Sequence, residues 1–296
     1  MIVLLGGSGY VGTAFRRFLK AQEIPFESWS RVEIDYYDPR ALRQALERVG
    51  AEFLINCAGY TGKPNVDACE IHKTECLLGN AVLPGLIRQA CEEVGLPWGH
   101  VSSGCIYSGS KDGGQGFTEA DPPNFCFRTN NCSWYSGCKA LGEECLADAD
   151  NVYVWRLRIP FDHRDSPRNY LSKVMRYDRL LDAANSLSHL DDFVAACWHT
   201  WSRRAPAGIY NCTNTGYTTT RDVVQWIQEE LGIEREFRFF ANEAEFMQLG
   251  QHTPRSNCIL DNAKLRSTGF DMPTVEQAVR RALRQWQWDN KLAAVS

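Results

Sequence analysis

Apolar and polar positions along the first half of the chain follow two alternating periods. Ile2–Leu5 is an unbroken apolar run, long enough for one buried strand, and Val11–Leu19 continues with apolar residues at helical spacing. The order then repeats. Phe26–Ser30 reads as a strand, and Asp38-Pro39-Arg40 opens a helix with Leu42, Ala45, Leu46 and Val49 on one face. Phe53–Asn56 reads as a third strand. A long helical stretch over roughly 67–93 leads to a strand at Trp98–Ser102, a helix over 135–147 and a strand at Val152–Leu157. This alternation predicts an α/β fold of the Rossmann type, a doubly wound parallel sheet with helices on both faces. Ligands of such a sheet sit at the carboxyl ends of its strands.

Beyond residue 160 the alternation loosens. Asn169–Asp178 and Thr219–Leu231 are helix candidates, and Gly208–Cys212 and Phe237–Phe240 are short strand candidates. The expected organisation is a dinucleotide-binding domain over 1–160, rejoined by about 185–205, and a smaller α/β substrate domain made mainly of 161–296. Residues 108–134 are rich in Gly, Pro, Asn and Asp, have no period and exceed a routine connection, which predicts a lid or rim over the site.

Composition narrows the partners. The 296 residues carry a net charge of −4 with no basic run, which argues against nucleic acid. No stretch approaches the ~18–20 apolar residues of a membrane span, and the N-terminus lacks the basic region of a secretory signal. The expectation is a soluble cytoplasmic protein without a membrane partner. Twelve cysteines include Cys126, Cys132, Cys138 and Cys145, yet none forms a CxxC pair, so no metal is expected. They read as small buried hydrophobes or incidental thiols rather than a disulfide framework.

Chemistry enters at the first strand end. Gly6, Gly9 and Gly12 lie between strand and helix, with Tyr10 and Val11 inside the turn. A strand, a tight glycine turn and a helix N-terminus bring backbone N–H groups onto a dinucleotide pyrophosphate. A second group is Tyr135-Ser-Gly-Cys-Lys139: residues four apart share a helix face, and an ammonium beside a phenol lowers its pKa from ~10, so that it can protonate a ketone oxygen. Ser103 ends a strand, where its hydroxyl can hold a carbonyl oxygen. YxxxK alone arises often by chance, and a lone strand-end Ser is ordinarily a local hydrogen bonder.

Glycine turn, strand-end Ser103 and the Tyr135/Lys139 helix, in that order, resemble the extended branch of the short-chain dehydrogenase/reductase superfamily. The resemblance makes Ser103, Tyr135 and Lys139 the catalytic triad and Asn80 a cofactor-side residue. Asn56-Cys-Ala-Gly-Tyr-Thr61 and Asn65-Val-Asp67 are similar to the sugar-nucleotide reductases typified by dTDP-4-dehydrorhamnose reductase, and bring Cys57, Ala58 and Gly59 to the cofactor. Thr61-Gly-Lys-Pro-Asn-Val-Asp67, Gly104-Cys-Ile106, Pro167-Arg-Asn-Tyr170 with Lys173, and Pro254-Arg-Ser-Asn257 resemble the epimerase/reductases that complete nucleotide-rhamnose synthesis. Ser103–Tyr107 is also similar to the matching strand end of GDP-fucose synthase. The resemblance spans most of the chain to about residue 269.

That resemblance assigns Cys105 and Lys173 to proton transfer at C3 and C5 of a 4-keto sugar, provided the site lowers both pKa values from ~8.5 and ~10.4. By residue type alone, Cys105 reads first as a small buried side chain, and Lys173 as a surface charge or phosphate contact. Lys63, Asn169 and Arg255 fall on the substrate side, where a diphosphate needs cations; a structural salt bridge is the other reading of Arg255. Cofactor choice rests on the end of the second strand. Ser30 and Arg31 suit a 2′-phosphate, whereas NAD enzymes place an acid there; Asp35 follows nearby. The expected cofactor is NADPH, with NADH tolerated, and the expected partners are a nucleoside-diphosphate sugar and a second copy in a homodimer. The implied activity is NADPH-dependent 4-ketoreduction with 3,5-epimerisation; the alternatives are a reductase without epimerase activity and an NADP-binding regulatory subunit.

Overall fold

The computed structural model describes residues 1–63, 65–249 and 253–289. Pro64 of the Thr61–Asp67 motif and the last residues of the expected substrate domain lie outside them. The first unit holds β1 (Ile2–Leu5), α1 (Tyr10–Ala21), β2 (Phe26–Trp29), α2 (Pro39–Arg48) and β3 (Phe53–Asn56). A 3-10 turn (Val66–Glu70), α3 (Lys73–Leu77), one π-helical turn (Leu78–Val82) and α4 (Leu83–Glu93) lead to β4 (Trp98–Ser103). Then come α5 (Trp134–Glu144), β5 (Val152–Leu157), β6 (Pro160–Phe161), α6 (Tyr170–Arg176), β7 (Arg179–Leu180) and β8 (Ser188–His189). The remainder is α7 (Leu190–Ser202), β9 (Gly208–Asn211), α8 (Thr220–Leu231), β10 (Arg238–Phe239), α9 (Glu243–Leu249), α10 (Ala263–Ser267) and α11 (Val275–Arg284).

Six strands form one parallel sheet in the order β2-β1-β3-β4-β5-β9. The apolar run of β1 splits between the faces as strand geometry demands. Ile2 and Leu4 join Phe15, Leu19, Phe193 and Trp155 under α1 and α7. Val3 and Leu5 join Leu42, Leu46, Leu54 and Ile87 under α2 and α4. A third core gathers Leu171, Val223, Ile227, Val279 and Leu283 from α6, α8 and α11. Local signals set the helix starts. Asp38 caps α2 by accepting from Arg40 N at 2.9 Å with Pro39 in the first turn, and Thr219 and Asp222 form a capping box on α8.

Three differences from the sequence reading have physical causes. The stretch 67–93 is not one α-helix: the 3-10 turn ends at Glu70, Ile71 and His72 intervene, and the run Lys73–Glu93 contains a π-helical turn whose Gly79 lies against Tyr60, where a Cβ would sit 3.1 Å from Tyr60 N. Gly208–Asn211 is the outer strand of the main sheet, paired with β5, not part of the smaller unit. Of residues 108–134, only Ser133 lines the cavity at the strand ends. Gly109 and Phe117 bridge to Cys258 and Leu260, and Tyr107, Phe117 and Cys126 pack with those two residues. No helix among the described residues is long and apolar enough to cross a membrane.

Candidate active site

The strand ends Leu5, Asn56, Ser103 and Leu157 come to one edge of the sheet, and the site is built there. Gly6 adopts φ +72°, and a Cβ on it would stand 2.5 Å from Ala58 N. A Cβ on Gly12 would collide with the Gly6 carbonyl oxygen. Both positions therefore need glycine, and Gly9 opens α1 as its N-cap without a side chain in the way. A cavity of about 870 Å³ runs from Gly6 and Gly9 to Ser30 and Arg31 at the end of β2, with Arg16 on its wall. It shares Gly9, Cys57, Ala58 and Gly59 with a second cavity of about 440 Å³, so the two form one continuous cleft. Tyr10 and Val11 line the second cavity.

These residues fit a phosphorylated dinucleotide. The glycine turn leaves room for a pyrophosphate at the start of α1, and cations stand where β2 ends. Of the nearby acids, Asp35 accepts from Tyr37 N at 3.1 Å, while Glu33 accepts from Ser30 N at 2.8 Å and so stands at the end of β2 beside Arg31. Asn80 is fully buried and donates to Tyr60 O at 2.7 Å while accepting from Tyr60 N at 3.3 Å. Asn56 accepts from Ala58 N at 2.9 Å and pairs with His100 across 3.0 Å. Two buried amides thus fix the loop that lies between the cavities.

Ser103, Tyr135, Lys139, Cys105 and Lys173 all line the second cavity. Ser103 accepts from Cys105 N at 3.2 Å, which aims its hydroxyl along the start of the 3-10 turn Gly104–Ile106. Lys139 is buried, reaches Val101 O at 3.4 Å, and has its pKa lowered by that burial. Glu143, one turn further along α5, accepts a bidentate pair from buried Arg156, with Nη2 at 2.6 Å, and a bond from Ser102. Arg156 also donates to Tyr107 OH at 3.0 Å. This network clamps α5 onto β4 and β5 and so positions Tyr135 and Lys139.

The electrostatics correct two expectations. Tyr135 is pushed well above the ordinary phenol range, first by burial and then by Cys105, with Arg158 opposing. The protein alone therefore keeps the phenol protonated. The Cys105 thiol is also pushed up, chiefly by burial, although Ser103, Ser136 and Arg158 draw it down. Lys173 moves in the expected direction, lowered by burial and by Arg168 and Arg255. Asn169 is not on the cavity wall. It is fully buried as the N-cap of α6, accepting from Leu171 N and donating to Asp162 O and Arg164 O. Lys63 is exposed and outside both cavity walls. Arg255 lines the cavity and pairs with Asp67 at 2.8 Å, so both earlier readings of it meet in one side chain.

Sequence reasoning missed Arg158, whereas Arg168 lies in the Pro167–Asn169 segment expected on the substrate side. Arg158 follows the end of β5, is buried, and donates to Asn185 and Ser256. Its place at a strand's carboxyl end was the available signal. Arg168 binds Thr61 Oγ1 at 3.0 Å and Gly62 O at 2.7 Å across the cavity mouth.

A Rossmann sheet, a glycine turn and a Ser–Tyr–Lys constellation at its carboxyl edge define an NAD(P)-dependent oxidoreductase of the short-chain dehydrogenase/reductase type. The RmlD substrate binding domain family matches residues 1–288, and the chain belongs to it. It is 30% identical over 283 residues to the bifunctional dTDP-4-dehydrorhamnose 3,5-epimerase/dTDP-4-dehydrorhamnose reductase of Arabidopsis thaliana, covering 94% of this chain and 90% of that protein. It spans only 40% of a longer trifunctional relative from the same plant. The fold superposes on the L780 UDP-rhamnose synthase of Acanthamoeba polyphaga mimivirus with TM-score 0.87 and 22% identity, covering 96% and 98% of the two chains. A dTDP-4-dehydrorhamnose reductase of Bacillus anthracis in complex with NADP gives TM-score 0.79 at 18% identity, covering 95% and 97%.

Proposed function

We propose that this chain takes a nucleoside-diphosphate 4-keto-6-deoxyhexose, inverts C3 and C5, and reduces C4 with NADPH, giving a nucleotide-linked rhamnose or a related deoxysugar. One observation carries the reading: the residues of both reactions share a cavity of about 440 Å³ that opens into a dinucleotide-sized cleft. Relatives that are named for the same pair of activities, or solved with NADP, support it.

NADPH supplies a hydride when bound. Ser103 holds the C4 oxygen, and Tyr135 delivers the proton that the resulting alkoxide needs. Lys139 places its charge beneath the same helix face and stabilises the phenolate left behind. For epimerisation the ketone acidifies C3 and C5. Lys173, with its lowered pKa, has a larger neutral fraction and serves as the base, the protonated Cys105 returns a proton, and exchange with solvent resets both groups before the second centre reacts. Arg168 and Arg255 offer guanidinium forks to the diphosphate.

The test is incubation with UDP- and dTDP-4-keto-6-deoxyglucose in D2O, with products resolved by NMR. Deuterium at C3 and C5 without NADPH, and a reduced 6-deoxysugar with it, support the reading. No exchange leaves a reductase that needs a separate epimerase. Cofactor binding without any reduction leaves a regulatory subunit.

A further inference from the structure

We infer that Asp162, His163, His189 and Asp191 bind a divalent transition-metal ion of the zinc class, at a site behind the wall of the reductase cleft that Tyr10 and Pro160 line. Asp162 and His163 follow β6, His189 ends β8 and Asp191 lies in the first turn of α7. One ligand-capable atom from each lies within 4.8 Å of the other three. Asp162, His189 and His163 are only 1%, 3% and 8% exposed.

Two orphaned ring nitrogens point to the ion. His163 Nδ1 and His189 Nε2 are buried with no hydrogen-bond partner. His163 Nδ1 stands 2.9 Å from Asp162 Oδ1 and 3.9 Å from Asp191 Oδ2, yet makes a hydrogen bond to neither. The hydroxyl of Tyr10 is a third buried orphan, within electrostatic reach of Asp162 and Asp191. Native structures leave few buried polar atoms unpaired, and such atoms commonly mark a water or ion.

The donor set decides which ion. Two imidazoles and two carboxylates suit zinc, cobalt or nickel; magnesium and calcium prefer oxygen throughout. The surrounding groups already have the arrangement of an outer shell. His189 Nδ1 accepts from Arg281 Nη2 at 3.2 Å and stands 3.4 Å from Asp192 Oδ2, so an ion on Nε2 requires the ring to carry its proton on Nδ1 and donate it to Asp192 instead. Arg281, 3.2 Å from the same Nδ1, places Nη2 at 2.6 Å from both Asp192 oxygens. Arg17 takes the outer oxygens, Asp162 Oδ2 at 2.8 Å and Asp191 Oδ1 at 3.2 Å. The His163 backbone N–H at 2.7 Å and Arg164 Nη1 at 3.2 Å both donate to Asp162 Oδ1, the oxygen nearest the His163 ring. The expectation of no metal rested on cysteine spacing, and this ligand set contains no cysteine. The ion would tie the turn after Pro160, which lines the substrate cavity, to the start of α7.

The test uses the full chain after EDTA treatment. Calorimetric titration with Zn2+ is expected to give one ion per chain. Co2+ is expected to give visible ligand-field bands without a near-ultraviolet thiolate band, which separates this site from the twelve thiols. His163→Asn, and Asp191→Asn at the exposed helix start, should each weaken binding at least about tenfold with unchanged circular dichroism. The inference is overturned by no saturation below about 100 μM, a weakness typical of non-specific contacts. A thiolate band, or affinity unchanged in both variants, overturns it equally.

Discussion

Asn80 grips the backbone of Tyr60 from both sides, giving one hydrogen bond to its carbonyl and taking one from its N–H. The residue also lines the second cavity, so it bears on the cofactor both from the cavity wall and through the loop it holds. Asn80→Ala removes both partners from the Tyr60 peptide. Leaving buried polar groups unpaired costs about 1–3 kcal/mol. The expected result is a dissociation constant for NADPH raised roughly tenfold or more, read by fluorescence titration. Folding is retained, with a lower urea midpoint. Unchanged cofactor affinity in Asn80→Ala would remove this residue from the cofactor side.

Tyr135→Phe deletes the proposed acid while keeping the ring. A positioned acid contributes about 10²–10⁴-fold to rate. Reduction should fall within that range, and deuterium exchange at C3 and C5 should persist. Lys173→Met should do the reverse to the two readouts: exchange is lost, and reduction of an already epimerised substrate survives.

The pH dependence of the two steps should differ in sign. Tyr135 must be protonated to act, and its pKa is raised, so reduction loses this acid only as pH rises beyond the ordinary phenol value near 10. Lys173 must be neutral to act, and its pKa is lowered from 10.5, so exchange should climb with pH and level off below that value. Separate rate profiles for reduction and for exchange check both directions. Exchange that falls on raising the pH would count against Lys173 as the base.

At the end of β2, Arg31→Ala should reduce the preference for NADPH over NADH. A charged hydrogen bond to a phosphate contributes about 1.5–3 kcal/mol, or roughly 10–100-fold in the ratio of KM values. A clear preference for NADH in the unaltered protein that survives the substitution would exclude the 2′-phosphate role.

Arg156→Met strands the Glu143 carboxylate inside the protein. Breaking a buried pair by removing one partner costs about 3–5 kcal/mol. Urea unfolding should show that loss. Any surviving folded fraction should also turn over more slowly, since α5 carries Tyr135 and Lys139.

The parallel sheet was legible because its strands are short apolar runs, and those of β1, β3 and β5 are buried on both faces. The glycine turn was legible because Gly6 and Gly12 answer to backbone sterics that no other residue satisfies. The place of Gly208–Asn211 was not, because two residues of β9 are only half buried and its partner β5 lies some fifty residues earlier. Asn169 misled for a different reason. A motif records that a side chain matters there, and a cap matters as much as a contact to substrate. Arg158 escaped notice because an arginine announces nothing about its partners until the chain is folded. The raised Cys105 and Tyr135 pKa values depend on burial, which is a property of the closed cavity rather than of spacing.

The outer strand of the main sheet also sets a rule for how the molecule can be made and divided. While a ribosome is still adding residues between β5 and β9, Val152–Leu157 offers one unmatched row of amide and carbonyl groups to anything nearby. A fragment cut after residue 160 keeps that bare flank permanently and loses the helix of Leu190–Ser202 that shields the sheet face. Such a piece invites strand addition from its neighbours. The nucleotide-binding half therefore cannot be harvested as a contiguous N-terminal fragment, although nearly all of the cleft for the dinucleotide is encoded there.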